Sequence, residues 1–539
     1  MVSRPRAPWR AIAVVACATS ASACALQVAS NPDVVRSRDV PSATDASIPA
    51  TNDGETGEIA DIDREVDGEV ANSVAEVVDH RTGSSTSQPT EVSRSTSAGD
   101  PRLEYLGSSD IDVTHYEIEL AFGRDFELCG TVTISGIVVL ATDQLAFDAA
   151  NVDVREVAVE GPDEGVALSR SFELADRELL IPLSQALQRS QSFVATIEFC
   201  HQVAEQGDFT SRAGLFPTDE GVWSVNEPDG VSTWMPVSDH PTDKATWSFA
   251  VTVPQGLTAI TNGSLVESTP GDPAADGPTT TWRWNQNEPM ASYLITLLIG
   301  EYTLVNDGAS ANGVILDHAV LTEHADALTP YLDVTDEQLT FFSELFGPYP
   351  FDRYGLALTD SVSGLAMETQ GLSLFSIADL DGSLGYFQHL LLAHELAHQW
   401  FGNAVSPASW DDIWLNEGLA TYGEWLWLDA QGLQDLESVA SRAVVSNEYG
   451  GSVYAPDELF SNVVYQGGAA AIHAIRRTVG DEAFFQGLLA WVSTHVDSAA
   501  TTEQFQDVME QASGLDLDAI FANWVYAAGQ PDTFPTPDP

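Results

Sequence analysis

The pattern of hydrophobic and polar positions divides the chain into two regions with different periods. In the first region hydrophobic residues recur at every second position, as in residues 115–122 and 131–135. This period is typical of strands with one buried face. Further strands are predicted at residues 193–200, 246–253 and 293–299, and turn signals such as Asn262-Gly263 separate such segments. The pattern therefore predicts an all-β domain over residues 105–305.

From residue 306 onward the period is that of helices. Apolar side chains share one helical face over residues 383–401, and Gly402-Asn403 follows as a C-terminal signal. A second helix is predicted to begin at Asp411-Asp412 and to run to about residue 430. Further helices are predicted at residues 335–345, 468–478, 482–495 and 502–512. The fold class is therefore α+β and multidomain, with a mainly helical domain over residues 306–532 and a Pro-rich tail over residues 533–539.

The start of the chain has the pattern of an export signal over residues 1–24. Arginines at positions 4, 6 and 10 precede an apolar stretch at residues 11–18, which is too short to span a bilayer. The run Ala21-Ser22-Ala23-Cys24 resembles a bacterial lipobox, in which the cysteine is lipidated; an ordinary cleaved signal peptide is the alternative. We expect an exported protein that is held at the outer face of a bacterial cell membrane through Cys24, or is otherwise secreted.

Residues 25–104 differ in composition from everything that follows. This segment has no aromatic residue and is rich in Ser, Thr, Asp and Glu. It cannot bury enough apolar surface to offset the entropy of ordering, so it is predicted to be a disordered linker.

Composition and charge narrow the classes of function. Hydrophobic residues make up 44% of the 539, which is enough for sizeable cores. Lys+Arg number 21 against 80 Asp+Glu, a formal net charge of −59. A chain this acidic repels phosphate backbones, so nucleic acid is excluded as a partner.

The four cysteines do not form a thiolate metal site. None of them belongs to a C-x-x-C pair, so a zinc site in this chain must use histidine and carboxylate ligands. Cys129 and Cys200 both lie at the edges of predicted strands, and in an exported protein they can form a disulfide. Two buried free thiols are the alternative.

The sequence His394-Glu395-Leu396-Ala397-His398 has the form H-E-x-x-H within a predicted helix. Side chains four residues apart lie on one helical face, so both imidazoles can reach one metal ion, and Glu395 can reach a water beside it. A zinc hydrolase needs a third protein ligand and one open position. Glu417, separated from His398 by 18 residues, can return on the next helix as that ligand. One zinc ion per chain is predicted.

These segments resemble the aminopeptidase N-like (gluzincin) zinc metallopeptidases, in a short two-domain bacterial form. The resemblance rests on residues 394–403, on residues 414–422 and on upstream segments at residues 226–236, 239–241 and 289–294. It implies an N-terminal β saddle domain, a thermolysin-like catalytic domain, and removal of N-terminal residues from peptides that have a free N-terminus.

The resemblance also implies roles for residues outside the zinc motif. Residues 365–369 are similar to the exopeptidase loop G-x-M-E-N of that family and match it at Met367 and Glu368. Glu368, together with Glu227, is expected to bind the substrate's α-amine, and the backbone near Ala366 is expected to pair with the peptide. Tyr465 matches the tyrosine that stabilises the oxyanion. Leu365, Thr369 and Gly467 depart from the family motifs.

Two other functions are compatible with the same residues. A zinc endopeptidase would use the same metal without an amine anchor. A catalytically inactive, surface-tethered peptide-binding protein would keep only the scaffold, although the intact ligands and Glu395 argue against it.

Overall fold

The structure is a computed structural model, and it describes residues 98–536 except 164–165, 176, 204–212, 220, 272–276, 362 and 445–450. The predicted signal, its Cys24 and most of the predicted linker lie outside the described residues. The described residues begin at Ala98, slightly before the predicted boundary at residue 105. None of the helices in the described part of the chain is long and apolar enough to cross a membrane.

The first part of the chain forms the predicted β domain. Its strands are β1 Ile111–Phe122, β2 Glu127–Val138, β3 Thr142–Asp148, β4 Asp153–Glu160, β5 Ala167–Ser169, β6 Glu173–Ala175, β7 Glu178–Leu187, β8 Ser192–Gln202, β9 Gly214–Pro217, β10 Val222–Val225, β11 Ala245–Pro254, β12 Thr258–Thr261, β13 Ser264–Pro270, β14 Thr279–Met290 and β15 Leu297–Gly300. Residues Ser292–Leu294 form a short 3-10 helix instead of extending the strand predicted there.

The described residues of this domain form three sheets. The largest has the order β13-β14-β11-β1-β2-β8-β4-β5, a second has the order β12-β15-β10-β9, and a third has the order β3-β7-β6. Along β1 buried and exposed residues alternate almost perfectly, because one face of the sheet packs on the core. The same alternation predicted the strand from the sequence.

The second part of the chain combines a sheet with helices. Its strands are β16 Tyr302–Ala309, β17 Ile315–Leu321, β18 Arg353–Tyr354, β19 Leu356–Thr359, β20 Ala366–Met367, β21 Ser373–Ser376, β22 Val405–Pro407 and β23 Ser498–Ala500. Its helices are α1 Thr329–Phe346, α2 Tyr386–Ala397, α3 Trp414–Ala430, α4 Leu436–Ala443, α5 Gly468–Val479, α6 Asp481–His495, α7 Thr502–Ser513 and α8 Asp518–Trp524.

The sheet of the second part was not predicted from the sequence. It has the order β16-β17-β19-β21-β20, with β18 paired to β17. The predicted domain boundary at residue 305 falls inside β16. Strands β19 and β21 are buried at every position, so they lack the alternation by which strands are recognised.

The disulfide predicted between Cys129 and Cys200 is present. The two cysteines face each other on the antiparallel pair β2 and β8. The disulfide joins two residues of the β domain that are 71 positions apart in the sequence, and so closes a long loop.

Candidate active site

Three side chains from two packed helices meet at one point. His394 lies in the last turn of α2, His398 follows the end of that helix, and Glu417 lies in the first turn of α3. His394 Nε2 is 3.1 Å from His398 Nε2 and 3.2 Å from Glu417 Oε2. His398 Nε2 is 3.4 Å from the same carboxylate oxygen. All three residues are buried.

These distances fit a zinc ion. Ligands at about 2.0–2.2 Å from a tetrahedral zinc are separated from one another by about 3.3 Å, which is the spacing of the three atoms here. Two imidazoles and one carboxylate are also a donor set of catalytic zinc sites, and they leave the fourth position open. The side chains present therefore match the predicted metal in number, chemistry and geometry.

The outer nitrogens of both imidazoles are held in place. His394 Nδ1 lies 3.3 Å from Glu424 Oε2, and His398 Nδ1 lies 3.1 Å from the carbonyl oxygen of Phe401. Because a metal-bound imidazole donates its other N–H to an acceptor of this kind, each ring presents Nε2 to the site. Glu424 lies on α3, seven residues after Glu417.

Glycines let the third ligand and Tyr465 approach. A Cβ atom on Gly418 would lie 2.9 Å from the Cα atom of Gly468, so any larger residue would separate α3 from the start of α5. Tyr465 belongs to a single π-helical turn just before α5. Such turns are frequent at functional sites. The Tyr465 hydroxyl donates a hydrogen bond of 3.0 Å to Glu417 Oε1.

Two carboxylates of the site have shifted pKa values of opposite sign. Burial raises the pKa of Glu395 to about 8, against the lowering effect of His394 and His398. Burial also acts to raise the pKa of Glu417, but the charge of His398 and hydrogen bonds from both imidazoles lower it to about 2. Glu417 is therefore ionised, as a metal ligand must be.

Glu368 and Glu227 approach the site from the loop after β20 and from the loop after β10. An oxygen of Glu368 lies within 4.8 Å of ligand atoms of both Glu395 and His398. Burial raises the pKa of Glu368, and burial together with the charge of Glu368 raises the pKa of Glu227 well above its ordinary value. Neither Oε1 has a hydrogen-bond partner among the described residues.

The loop that carries Glu368 is fixed by side chains that the sequence analysis did not identify. The carbonyl oxygen of Glu368 accepts hydrogen bonds from Gln399 Nε2 at 3.0 Å and from Asn403 Nδ2 at 2.7 Å. Ala366 and Met367 form β20, the edge strand of its sheet. Its outer edge can accept an extended peptide as an additional strand.

The residues missed by the sequence analysis are Glu424, Gln399, Asn403 and Tyr293. Gln399 follows His398 directly and Asn403 lies five residues after it, so their positions close to the motif are the one signal that the sequence offers. Tyr293 belongs to the β domain, and its hydroxyl donates to the carbonyl oxygen of Gly402 at 3.1 Å. That contact is a feature of the tertiary structure alone.

Comparison with known proteins identifies both parts of the chain. Residues 331–524 match the peptidase family M1 domain, and residues 112–294 match the peptidase M1 N-terminal domain. The chain is 27% identical over 466 residues to a probable M1 family aminopeptidase 1 of Encephalitozoon cuniculi, covering 77% of this chain and 51% of the relative. It is 26% identical to a probable aminopeptidase 2 of Sulfurisphaera tokodaii, covering 78% of this chain and 54% of the relative.

The chain thus spans about half the length of these relatives. Solved structures, in contrast, match this chain over the full length of the solved protein. An M1 zinc metallopeptidase from Deinococcus radiodurans superimposes with a TM-score of 0.72 at 27% identity, covering 82% of this chain and 100% of that one. This similarity confirms the predicted fold class, a mainly β N-terminal domain followed by a helical catalytic domain. Together with the ligand geometry, it confirms zinc as the metal of the site.

Proposed function

Because the chain belongs to peptidase family M1, we propose that it is a zinc-dependent aminopeptidase, which removes single residues from the N-terminus of peptides. The observation that carries this proposal is the position of Glu368. Its buried carboxylate lies beside Glu395 and His398 without being part of the zinc set. A fixed carboxylate at this place can bind a peptide's ammonium group and so measure off one residue.

The chain's relatives support the same reaction. The Encephalitozoon cuniculi and Sulfurisphaera tokodaii proteins are described as probable aminopeptidases. A variant of the Deinococcus radiodurans metallopeptidase was crystallised with a Tyr-Ser-Ala substrate. A free tripeptide of this kind is a substrate class that we propose for the present chain.

His394, His398 and Glu417 would hold the zinc ion, which when bound would polarise the scissile carbonyl and activate the attacking water. Glu395 accepts the proton of that water and then gives it to the leaving amine. Burial raises the pKa of Glu395 and both imidazoles act against that rise; a zinc ion bound beside the carboxylate would lower this pKa further, which favours a group able to accept a proton at neutral pH.

The remaining residues bind the substrate and orient it. Tyr465 donates its O–H to the oxygen that becomes negatively charged, an interaction worth roughly 3–4 kcal/mol in comparable sites. Glu368 and Glu227 bind the substrate ammonium group, and β20 pairs with the peptide backbone.

Replacing Glu395 with Gln tests the reaction chemistry. The amide keeps the size of the side chain but cannot accept the proton, so kcat is expected to fall by about 10²–10⁴-fold. The zinc content, measured by elemental analysis, should stay at one ion per chain because Glu395 is not a ligand. Turnover at the wild-type rate would contradict the role of Glu395.

A mixed set of peptides, each supplied free and N-acetylated, tests the exopeptidase assignment. Mass spectrometry is expected to show loss of one residue at a time from the free forms only, because acetylation removes the charge that Glu368 and Glu227 bind. Internal cleavage of the acetylated forms would support the zinc endopeptidase instead, and would refute the roles of these two carboxylates.

We also propose that the enzyme is exported and attached to the outer face of a bacterial membrane through a lipidated Cys24. The basic n-region, the short apolar stretch and the lipobox-like run support this proposal. In the native bacterial host, the wild-type protein should partition into detergent, whereas the Cys24→Ala variant should appear in the aqueous phase. Equal partitioning of both would exclude the anchor.

A further inference from the structure

The β domain holds three consecutive backbone carbonyls of the turn that follows α2, the helix of the H-E-x-x-H motif. The Tyr293 hydroxyl donates to the carbonyl oxygen of Gly402 at 3.1 Å. Lys244, which directly precedes β11, donates from Nζ to the carbonyl oxygens of Asn403 at 2.7 Å and of Ala404 at 3.0 Å. The position of this turn is therefore set in part by the β domain.

The same turn supports the loop that is proposed to bind the substrate's ammonium group. Asn403 is fully buried, and its Nδ2 donates to the carbonyl oxygen of Glu368 at 2.7 Å. The backbone N–H of Asn403 donates to the carbonyl oxygen of His398 at 3.0 Å, so this residue is tied to the end of α2 as well as to Lys244. Two successive hydrogen bonds thus connect Lys244 with Glu368 through Asn403.

Lys244 is the only lysine in the 539 residues, and all other members of the 21 Lys and Arg residues are arginines. Arginine serves for the ion pairs of the folded domains, as in the contact of 2.6 Å between Arg353 and Asp317. The acceptors of Lys244 differ, because in the described part of the chain they are two carbonyl oxygens. The use of lysine at this position alone indicates that the contact needs an amino group.

An amino group fits these two acceptors better than a guanidinium does. Burial lowers the pKa of Lys244 to about 7, and the charge of Asp497 acts against that shift. With or without its third proton, the amino group has one N–H for each of the two carbonyl oxygens. A guanidinium keeps its charge and has five N–H groups in a rigid planar fork. Arginine at this position would therefore bring more donors than the two carbonyl oxygens accept, and buried donors without a partner are costly.

We propose that Lys244 is a positioning residue for Glu368. Its amino group fixes the turn at residues 402–404 from the β domain, and Asn403 transmits this constraint to the carbonyl oxygen of Glu368. The role rests on the proposed aminopeptidase function, since it concerns the binding of the substrate's ammonium group. Loss of the amino group is expected to displace Glu368 and to leave the spacing of the zinc ligands unchanged, because that spacing depends on α2 and α3.

Steady-state kinetics with the free tripeptide Tyr-Ser-Ala test this role. Lys244→Met keeps an unbranched side chain but has no donor, and KM is expected to rise by about tenfold or more. The change in kcat should be below about threefold, because Glu368 binds the ammonium group alike in the ground state and in the transition state. Arg283→Met is the matched control, since it removes an exposed cation of the neighbouring strand β14, and it should leave KM unchanged. An unchanged KM in Lys244→Met would overturn the role of Lys244.

A second variant tests the need for an amino group. Lys244→Arg keeps a cation and a long side chain, but its guanidinium does not match the two carbonyl oxygens. KM is therefore expected to rise in this variant as it does in Lys244→Met. A wild-type KM in Lys244→Arg would overturn the requirement for an amino group.

Acetohydroxamate separates the positioning of Glu368 from general damage to the site. This inhibitor binds a zinc ion but has no amine, so its inhibition constant should be the same for the wild type and for Lys244→Met. A rise in the inhibition constant that equals the rise in KM for the tripeptide would overturn the positioning role, because it would show that the whole site is disturbed.

The single lysine also allows a test on the wild-type protein. Incorporation of lysine labelled with ¹³C at Cε gives one side-chain NMR signal, which belongs to Lys244. L-Tryptophan, which has a free α-amine, should shift this signal at a concentration that inhibits tripeptide cleavage, whereas N-acetyl-L-tryptophan should not. A signal that L-tryptophan leaves in place would overturn the connection between Lys244 and the amine site. A wild-type protein that cleaves no free peptide would instead refute the proposed function, and the role of Lys244 with it.

Discussion

At the scale of single residues, the zinc site depends on a carboxylate that is not itself a ligand. Glu424 Oε2 lies 3.3 Å from His394 Nδ1 inside the protein, and 6% of the surface of Glu424 is exposed. This contact holds the ring with Nε2 toward the metal and increases the basicity of that nitrogen. Glu424 is therefore a positioning residue for His394.

Replacing Glu424 with Gln is expected to lower the zinc affinity by about 10–100-fold, because the amide is a weaker acceptor for the imidazole N–H. Competition with a chelator measures this affinity without any assay of activity. Glu344→Gln, at an exposed position of α1, is the control and should leave the affinity unchanged. An unchanged affinity in Glu424→Gln would show that Glu424 does not position His394.

A second residue-scale prediction concerns pH. Burial raises the pKa of Asp243 in the β domain to about 7, while hydrogen bonds including one from the N–H of Val113 act against that rise. The pKa in the folded protein is thus above the value of 3.8 for a free side chain. Because folding raises the pKa, protonated Asp243 makes its full contribution to the free energy of unfolding below about pH 4. This contribution is lost as the pH rises through about 7.

The Asp243→Asn variant keeps the acceptor for Val113 but does not titrate. From pH 4 to pH 8 the wild type should therefore lose stability relative to this variant, by at most about 4 kcal/mol at about 1.4 kcal/mol per pKa unit. Denaturant unfolding at a series of pH values measures the difference. A difference that stays constant from pH 4 to pH 8 would show that Asp243 is ionised throughout this range.

At the scale of elements, strands β2 and β8 are joined by hydrogen bonds and by the disulfide between Cys129 and Cys200. A covalent link across 71 residues restricts the unfolded chain more than the folded one. Replacing both cysteines with Ala is expected to lower the free energy of unfolding by about 2–4 kcal/mol. Chemical denaturation measures this loss. A reducing agent should destabilise the wild type by a similar amount and leave the double variant unaffected; sensitivity of the double variant would point to another cause.

The helices show why the ligand set needs a particular packing of elements. His394 and His398 belong together through helical spacing alone, but Glu417 joins them only because α3 packs along α2. The tight contact of Gly418 with Gly468 then lets Tyr465 reach the ligand Glu417. Glycine is required at both positions because the two helices approach each other closely. An unusual backbone conformation is not the reason, since both residues lie within ordinary helices.

At the scale of the whole molecule, the segment before β1 joins the β domain to the catalytic domain. Asp100 accepts hydrogen bonds from the N–H groups of Leu103 and Trp410 and lies 3.4 Å from His240 Nε2. Burial acts to raise the pKa of Asp100, but the nearby His240 and the hydrogen bonds from the backbone hold it well below its ordinary value. A second contact runs from Lys244 Nζ to the carbonyl oxygens of Asn403 and Ala404.

Replacing Asp100 with Ala removes one acceptor that the buried N–H of Trp410 shares with the partly buried N–H groups of Arg102 and Leu103. The loss is expected to cost at least about 2 kcal/mol of stability at neutral pH, because buried donors without a partner carry their full desolvation penalty. Thermal unfolding of the full chain measures it. Glu104→Ala changes an exposed acidic residue of the same segment and should have little effect. Equal melting temperatures for the two variants would mean that this segment does not hold the domains together.

The sequence by itself determined the elements and the chemistry that depend on local spacing. Alternation with period two identified β1, β2, β8 and β11, and helical spacing placed His394, Glu395 and His398 on one face. The cysteine positions predicted the disulfide. The roles of Glu227, Glu368 and Tyr465 came from a resemblance to known enzymes and stay predictions, although these residues do lie around the zinc ligands.

Only the tertiary structure decided what depends on contacts between distant segments. The buried strands β19 and β21 show no alternation, because both of their faces are covered. The contact of Glu424 with His394 and the hydrogen bonds from Gln399 and Asn403 to the carbonyl oxygen of Glu368 each join residues far apart in the chain. Spacing along the sequence carries no information on such contacts, because they form only when packed elements bring those side chains together.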